Sequence, residues 1–160
     1  MGQKQSDSQL DEIDKEILRL LQADGSLTTP LLAEKVSLSV TPCWRRLKRL
    51  EEAGYIRDYQ ANLDRRKIGL GIFAFVQITF GNVGNPEPIE AFEEAVQKIP
   101  EILSCHKITG SADYMLQVVV ENLDAYGDFV ENVLRHLPGV SLIHSGLSIR
   151  EIKSTSRLPL

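Results

Sequence analysis

The apolar residues change their period near residue 70, and that switch limits the chain to a helical unit followed by a unit of alternating strands and helices. Before the switch, Ile13, Ile17, Leu18, Leu20 and Leu21 recur at helical spacing until Asp24-Gly25-Ser26 interrupts them. Thr29 is placed to cap a second helix, with Pro30 at its first position and Leu31, Leu32, Ala33 and Val36 on its buried side. Ser37-Leu38-Ser39 is a three-residue break, and Ser39 is a good cap for a third helix with Pro42 in its first turn. That helix carries a stripe of Val40, Cys43, Trp44, Leu47, Leu50 and Ala53 and stops at Gly54. The segment Tyr55–Gln60 alternates enough to form one arm of a small wing. Three short helices with a tight turn before the last predict a winged helix-turn-helix over residues 1–62.

The third helix also concentrates charge. Arg45, Arg46, Lys48 and Arg49 place four cations within five residues, whereas residues 1–62 as a whole hold nine basic and ten acidic side chains. The overall net charge of -4 therefore excludes a protein that coats nucleic acid with its whole surface, but not one that reads it with one helix. Ser39, Thr41 and the helix start near Pro42 can meet phosphates, and Arg45, Arg46, Lys48 or Arg49 can reach phosphates or base edges of double-stranded DNA. The plainer alternative is a solvated helix face, paired with Glu51 and Glu52. Arg65, Arg66 and Lys67, in a linker over residues 63–68, fit a further phosphate contact or a solvated hinge equally well.

After the linker, residues 69–160 read as strand, helix, strand, strand, helix, strand. Ile72–Phe80 is β-branched and aromatic, and Gly81–Pro86 is a loop. Pro88–Lys98 is helical and stops at Pro100. Strands follow at Ile102–Ile108 and Tyr114–Val120, joined by a turn at Gly110-Ser111-Ala112. Asn122 caps a helix over Leu123–Leu137, Pro138-Gly139 ends it, and Ser141–Ile152 is the closing strand. This is the βαββαβ ferredoxin-like order, so the fold class is α+β. Two helices can cover one sheet face. Phe73, Phe75, Met115, Gln117, Leu147 and Ile149 suggest that the other is partly apolar, which favours self-association into a homo-oligomer.

Other function classes find little support. His106, His136 and His144 are dispersed, there is no G-x-S-x-G motif, and Gly81-x-x-Gly84 is too little for a phosphate loop, so no enzyme is expected. Cys43 and Cys105 are distant and lack a C-x-x-C partner. Free thiols are expected, with no metal and no cofactor. Met1–Leu10 lacks an apolar signal core, and the apolar stretch around Leu70–Val76 is too short to span a bilayer. A cytoplasmic protein without membrane contact is expected.

Taken in order and spacing, these segments resemble the Lrp/AsnC, or feast/famine, family of prokaryotic transcriptional regulators. The resemblance runs through Leu10–Asp14, Leu20–Gly25, Leu32–Val36, Leu38–Leu47 and Arg49–Ile56. It continues through Gly110–Tyr114, Leu137–Val140 and the tail Glu151-Ile152-Lys153 with Leu158-Pro159. Thr41-Pro42-Cys43-Trp44 and the Leu158-Pro159 tail are most similar to a cysteine-responsive, DecR/YbaO-like subgroup. The resemblance implies a DNA-binding head, an amino-acid-sensing C-terminal domain, dimers formed through the sheet, and octamers built from dimers. It places the effector region at Gly110, Ser111, Ala112, Asp113 and Tyr114, with Ser111 standing where the family usually has an acidic residue. Leu123, Gly146 and Ser148 correspond to pocket or response positions, and the small Gly146 and polar Ser148 argue against a leucine-type effector. Chemically, Asp113 can pair with the ammonium of an amino acid while backbone N–H groups of Gly110–Ala112 hold its carboxylate. Two plainer roles stay open: Asp113 capping a turn, and Tyr114 packing in the sheet. The competing function is a stand-alone amino-acid-binding or assembly protein without specific DNA binding.

Overall fold

The computed structural model describes residues 10–81 and 87–160. The chain divides into two compact units, Met1–Asn62 with Lys153–Leu160, and Leu63–Ile152. The last eight residues, grouped with the sheet by sequence, thus lie with the helices.

The helical unit contains α1 (Glu12–Ala23), α2 (Thr29–Lys35) and α3 (Val40–Glu52). Helix α1 starts in a capping box built from two aspartates: Asp11 accepts from the Asp14 N–H at 2.8 Å, and Asp14 accepts from the Asp11 N–H at 3.2 Å. The cap of α2 is Thr28, one residue before the expected Thr29, which puts Pro30 at the second helical position where its missing N–H is still harmless. Helices α2 and α3 end in the same way. The Leu38 N–H bonds the Ala33 carbonyl at 2.9 Å and the Ser37 N–H bonds Glu34 at 3.2 Å. The Tyr55 and Gly54 N–H groups bond Leu50 and Glu51, both at 3.0 Å. Both are Schellman closures, which need one left-handed residue. Gly54 fills that place at φ 77°, and Ser37 fills it at φ 55° in the turn between α2 and α3. The core is Ile17, Leu18, Leu21, Leu32, Ala33, Cys43 and Leu50. The expected wing arm at Tyr55–Gln60 is not a strand, since no ladder within the described residues pairs it.

The tail returns to α1. Gln22 grips the main chain of Leu158 twice, at 2.6 and 3.2 Å, Arg19 donates to the Leu160 carbonyl at 3.0 Å, and Arg157 donates to the Ala23 carbonyl at 3.3 Å. Helix α1 has no basic residue in its last turn. Arg157 supplies the missing cation at that carbonyl end.

The second unit contains β1 (Ile72–Phe80), α4 (Glu87–Val96), β2 (Ile102–Lys107), β3 (Tyr114–Val120), α5 (Leu123–Asn132), a 3₁₀ turn (Leu134–His136) and β4 (Val140–Leu147). The sheet is antiparallel in the order β2-β3-β1-β4, the ferredoxin-like arrangement. Of the expected loop 81–86, residues 82–86 lie outside the described residues, as do the residues before Leu10. Asn122 caps α5 by accepting from the Ala125 N–H at 2.9 Å. The expected single helix to Leu137 breaks at Val133, whose φ of -117° and ψ of -66° leave the helical values; a 3₁₀ turn follows, with Leu134 fully buried. Strand β4 ends at Leu147 rather than Ile152: its last ladder partner is Ala74, after which the Ser148 N–H still bonds the Phe73 carbonyl at 2.8 Å. Gly71 must be glycine: its N–H bonds Glu121 at 3.1 Å, and a Cβ there would stand 2.7 Å from the same carbonyl.

The residues of β1 and β3 alternate between faces. Ala74, Val76, Ile78, Tyr114, Leu116, Val118 and Val120 pack with Phe92, Val96, Tyr126, Phe129 and Leu134 under the helices. The other face carries Phe73, Phe75, Gln77, Met115, Gln117 and Val119. Phe73 and Phe75 meet edge to face with centroids 5.2 Å apart, and Phe75 stays exposed. Leu147 does not belong to this face, since it is registered opposite Ala74, and Ile149 lies beyond β4.

Candidate nucleic-acid interface and effector region

Helix α3 presents different residues on each side than its sequence stripe suggests. It buries Cys43 and Leu50, with Leu47 packed against them, but leaves Val40 and Trp44 half exposed and outside the core. Thr41, Trp44, Arg45 and Lys48 follow the i, i+3, i+4, i+7 rule and share one exposed face. Arg45 makes no ion pair among the described residues, and Lys48 has only the exposed partner Glu52 at 3.6 Å. Such an exposed i, i+4 pair is weak and easily exchanged for a phosphate. Ser39 and Pro42 are exposed at the helix start, and the Ser39 hydroxyl does not cap the helix.

Arg46 and Arg49 are engaged elsewhere. Arg46 Nη1 lies 2.6 Å from Asp11 Oδ2 and 2.9 Å from Asp14 Oδ1, while Arg49 Nη2 pairs with Asp14 Oδ2. Asp14 is fully buried. A buried carboxylate must be paired and hydrogen-bonded, and both arginines with the Asp11 N–H meet that demand. The backbone N–H of Asp14 and the Arg46 guanidinium hold the Asp11 carboxyl below its ordinary range, and the two aspartates push Arg46 up. These arginines fasten α3 to the start of α1. In the sequence Asp11 and Asp14 flank Ile13 at the start of the first apolar stripe, but nothing linear joins them to residues 46 and 49. Arg65 is likewise engaged: it donates to the carbonyls of Leu70 and Gly71 at 2.9 and 3.0 Å and sits 5.5 Å from the centroid of the Phe73 ring.

The effector candidates fall into two groups. Gly110 holds φ 122°, a conformation that favours glycine, and Ser111 is exposed beside it. Asp113 ties this turn to the end of β1: its Oδ2 accepts from the Phe80 N–H at 2.8 Å and its own N–H bonds the Ile78 carbonyl at 2.9 Å. Ala112 is buried. Tyr114 lies in the core against Phe80 and Phe92 and donates its hydroxyl to Glu93 Oε1; burial first, then that carboxylate, pushes its phenol well up. The second group lies toward the other end of β1, with Gly146 opposite Phe75, the Ser148 N–H bonding the Phe73 carbonyl at 2.8 Å, and exposed Leu123 following β3, whose Val120 faces Ile72. From Phe75 to Phe80 is five strand residues, about 17 Å. One chain therefore does not bring both groups to a single small ligand. Among the described residues no group of three or more His, Cys, Asp and Glu could hold a metal, both cysteines are free, and no helix is long and apolar enough to cross a membrane.

Residues 10–57 match the winged helix-turn-helix DNA-binding family, and residues 73–158 match the Lrp/AsnC ligand binding domain. The chain belongs to the Lrp/AsnC family. It is 41% identical to the Bkd operon transcriptional regulator of Pseudomonas aeruginosa, covering 96% of this chain and 99% of that one. It is 39% identical to the leucine-responsive regulatory protein of Serratia marcescens, covering 98% and 95%. Its fold is similar to that of a Neisseria meningitidis transcriptional regulator solved as an L-Met complex (TM-score 0.90, 40% identity, 94% of this chain and 97% of that one). An AsnC family regulator from Agrobacterium tumefaciens is similar too (TM-score 0.88, 37% identity, 94% and 97%). This Lrp/AsnC chain is a DNA-binding transcriptional regulator that responds to a small-molecule effector, in a family that is regulatory rather than enzymatic.

Proposed function

We propose that the protein reads operator DNA through the exposed face of α3 and that an amino acid bound between C-terminal domains of neighbouring copies controls its occupancy. The observation that carries the first half is the division of labour on α3: Arg46 and Arg49 brace the helix, while Thr41, Arg45 and Lys48 face solvent beside Ser39 at its start. In a helix-turn-helix that end of the helix meets the major groove, and a dimer sets two such helices one DNA turn apart. Repetition of weak half-site contacts in dimers, and in octamers built from them, raises occupancy through effective concentration.

The apolar face around Phe73 and Phe75 supports a homo-oligomer. Separation of the two effector groups supports a ligand shared between copies. A sulfur-bearing amino acid is the first effector to test. That choice rests on the cysteine-responsive resemblance of Thr41–Trp44 and on the neighbour solved with L-Met. Asp113 offers the ammonium partner, and the Gly110–Ala112 turn offers the N–H groups for the carboxylate. The ligand acts only if it binds two assembly states unequally.

The test uses a promoter fragment with competitor DNA, light scattering, and a thermal-shift screen of the twenty amino acids. Arg45→Ala with Lys48→Ala is expected to lose DNA binding at least tenfold with an unchanged oligomer. Asp113→Asn, which keeps an acceptor for the Phe80 N–H and removes the charge, is expected to keep DNA binding and lose the amino-acid shift. Full DNA binding by the double variant, or a monomeric mass at micromolar concentration, overturns the reading; the former leaves a bare amino-acid-binding or assembly protein.

A further inference from the structure

We propose that Trp44, with Val40 beside it, is a specificity-determining residue of the α3 interface and reads thymine 5-methyl groups in the major groove. This rests on the reading of α3 as the helix that enters DNA.

Trp44 is 50% exposed and Val40 49% exposed, and neither joins the core formed by Cys43, Leu50 and the residues of α1 and α2. An indole on a helix buries 150–250 Å² where it packs, roughly; here half of it is left in water. The two side chains are four residues apart on the first turns of α3, so they form an apolar strip that continues to Lys48, with Thr41 and Arg45 in the neighbouring row. Cations alone grip any duplex, because phosphates repeat without regard to sequence. The one apolar feature on a base edge in the major groove is the thymine methyl. A strip of valine and indole flanked by cations matches a groove wall in which thymine methyls lie beside phosphates. The indole N–H adds a donor for a neighbouring acceptor.

Trp44 is the sole tryptophan, so its fluorescence reports this contact directly. The experiment takes the full chain and a duplex selected from a random pool, then replaces its thymines by deoxyuridine, which removes only the methyl. Wild-type protein is expected to lose about fourfold in affinity per contacted methyl. Trp44→Ala is expected to bind more weakly and to no longer distinguish thymine from uracil. Trp44→Leu, which keeps an apolar contact, retains part of the discrimination and guards against a folding defect. Arg45→Ala binds weakly but keeps the thymine-to-uracil ratio. Emission of Trp44 is expected to change on saturation with the duplex. An unchanged ratio in Trp44→Ala, unaltered emission, or no methyl-sensitive position in the selected duplex overturns the proposal. If Arg45→Ala with Lys48→Ala also binds normally, the reading of α3 itself falls; if only the tryptophan arm fails, that reading stands.

Discussion

At the residue scale, the decisive side chain is Asp14. Four adjacent cations look equivalent in the sequence, but a fully buried carboxylate divides them into two that brace and two that face outward. The consequences are separable. Arg46→Ala with Arg49→Ala strands the Asp14 charge and is expected to destabilise the helical unit by about 3 kcal/mol, read as a drop in its urea midpoint. Arg45→Ala, on an exposed site without a partner among the described residues, should leave that midpoint within about 0.5 kcal/mol. The same cluster sets an acid limit. The folded Asp11 carboxyl sits below its ordinary value, so its contribution is complete above about pH 4 and disappears as pH falls through the folded value. Asp11→Asn should flatten the dependence of melting temperature on pH below that point; an unaltered slope would show that other carboxylates dominate.

At the element scale, the two Schellman closures make an internal comparison. Helices α2 and α3 end with the same hydrogen bonds, one through Gly54 and one through Ser37, both at positive φ. Left-handed backbone is costly for a residue with a Cβ. Ser37→Gly is therefore expected to stabilise the helical unit by about 0.5–1 kcal/mol, and Gly54→Ala to destabilise it by about 1 kcal/mol. Chemical denaturation of both variants checks the opposite signs. Element types were legible because periodicity and punctuation agree: Ile72–Phe80 and Tyr114–Val120 have the expected bounds, and Asn122 caps α5 as read. Ends set by a partner were not legible. β4 runs only as far as its pairing with Ala74 of β1, and α5 breaks just before Leu134, which packs in the core with Ala74, Val76 and Phe92, residues far from it in sequence.

At the scale of the whole molecule, the tail links the units a second time. The chain leaves the helical unit after Asn62 and returns to it at Lys153. Deleting residues 157–160 removes the Leu158–Gln22 grip and the Arg157 and Leu160 contacts, and is expected to destabilise the helical unit by about 1–2 kcal/mol, from a few exposed hydrogen bonds of modest net value each. Gln22→Ala should reproduce much of that loss, seen in the far-UV helical transition. By itself the sequence determined the two-unit plan, the element order, the helix-turn-helix and the family, since each follows from local period, caps and turn residues, or from motifs in order. Only the tertiary structure decided which cations pair with Asp14, that Trp44 faces outward, that Tyr114 is core, and that the tail belongs with the helices. These depend on contacts such as Asp14 with Arg46 and Gln22 with Leu158, between residues far apart in the chain. A local pattern can announce that a face is apolar or basic, but burial and pairing are settled by whatever the fold sets against it.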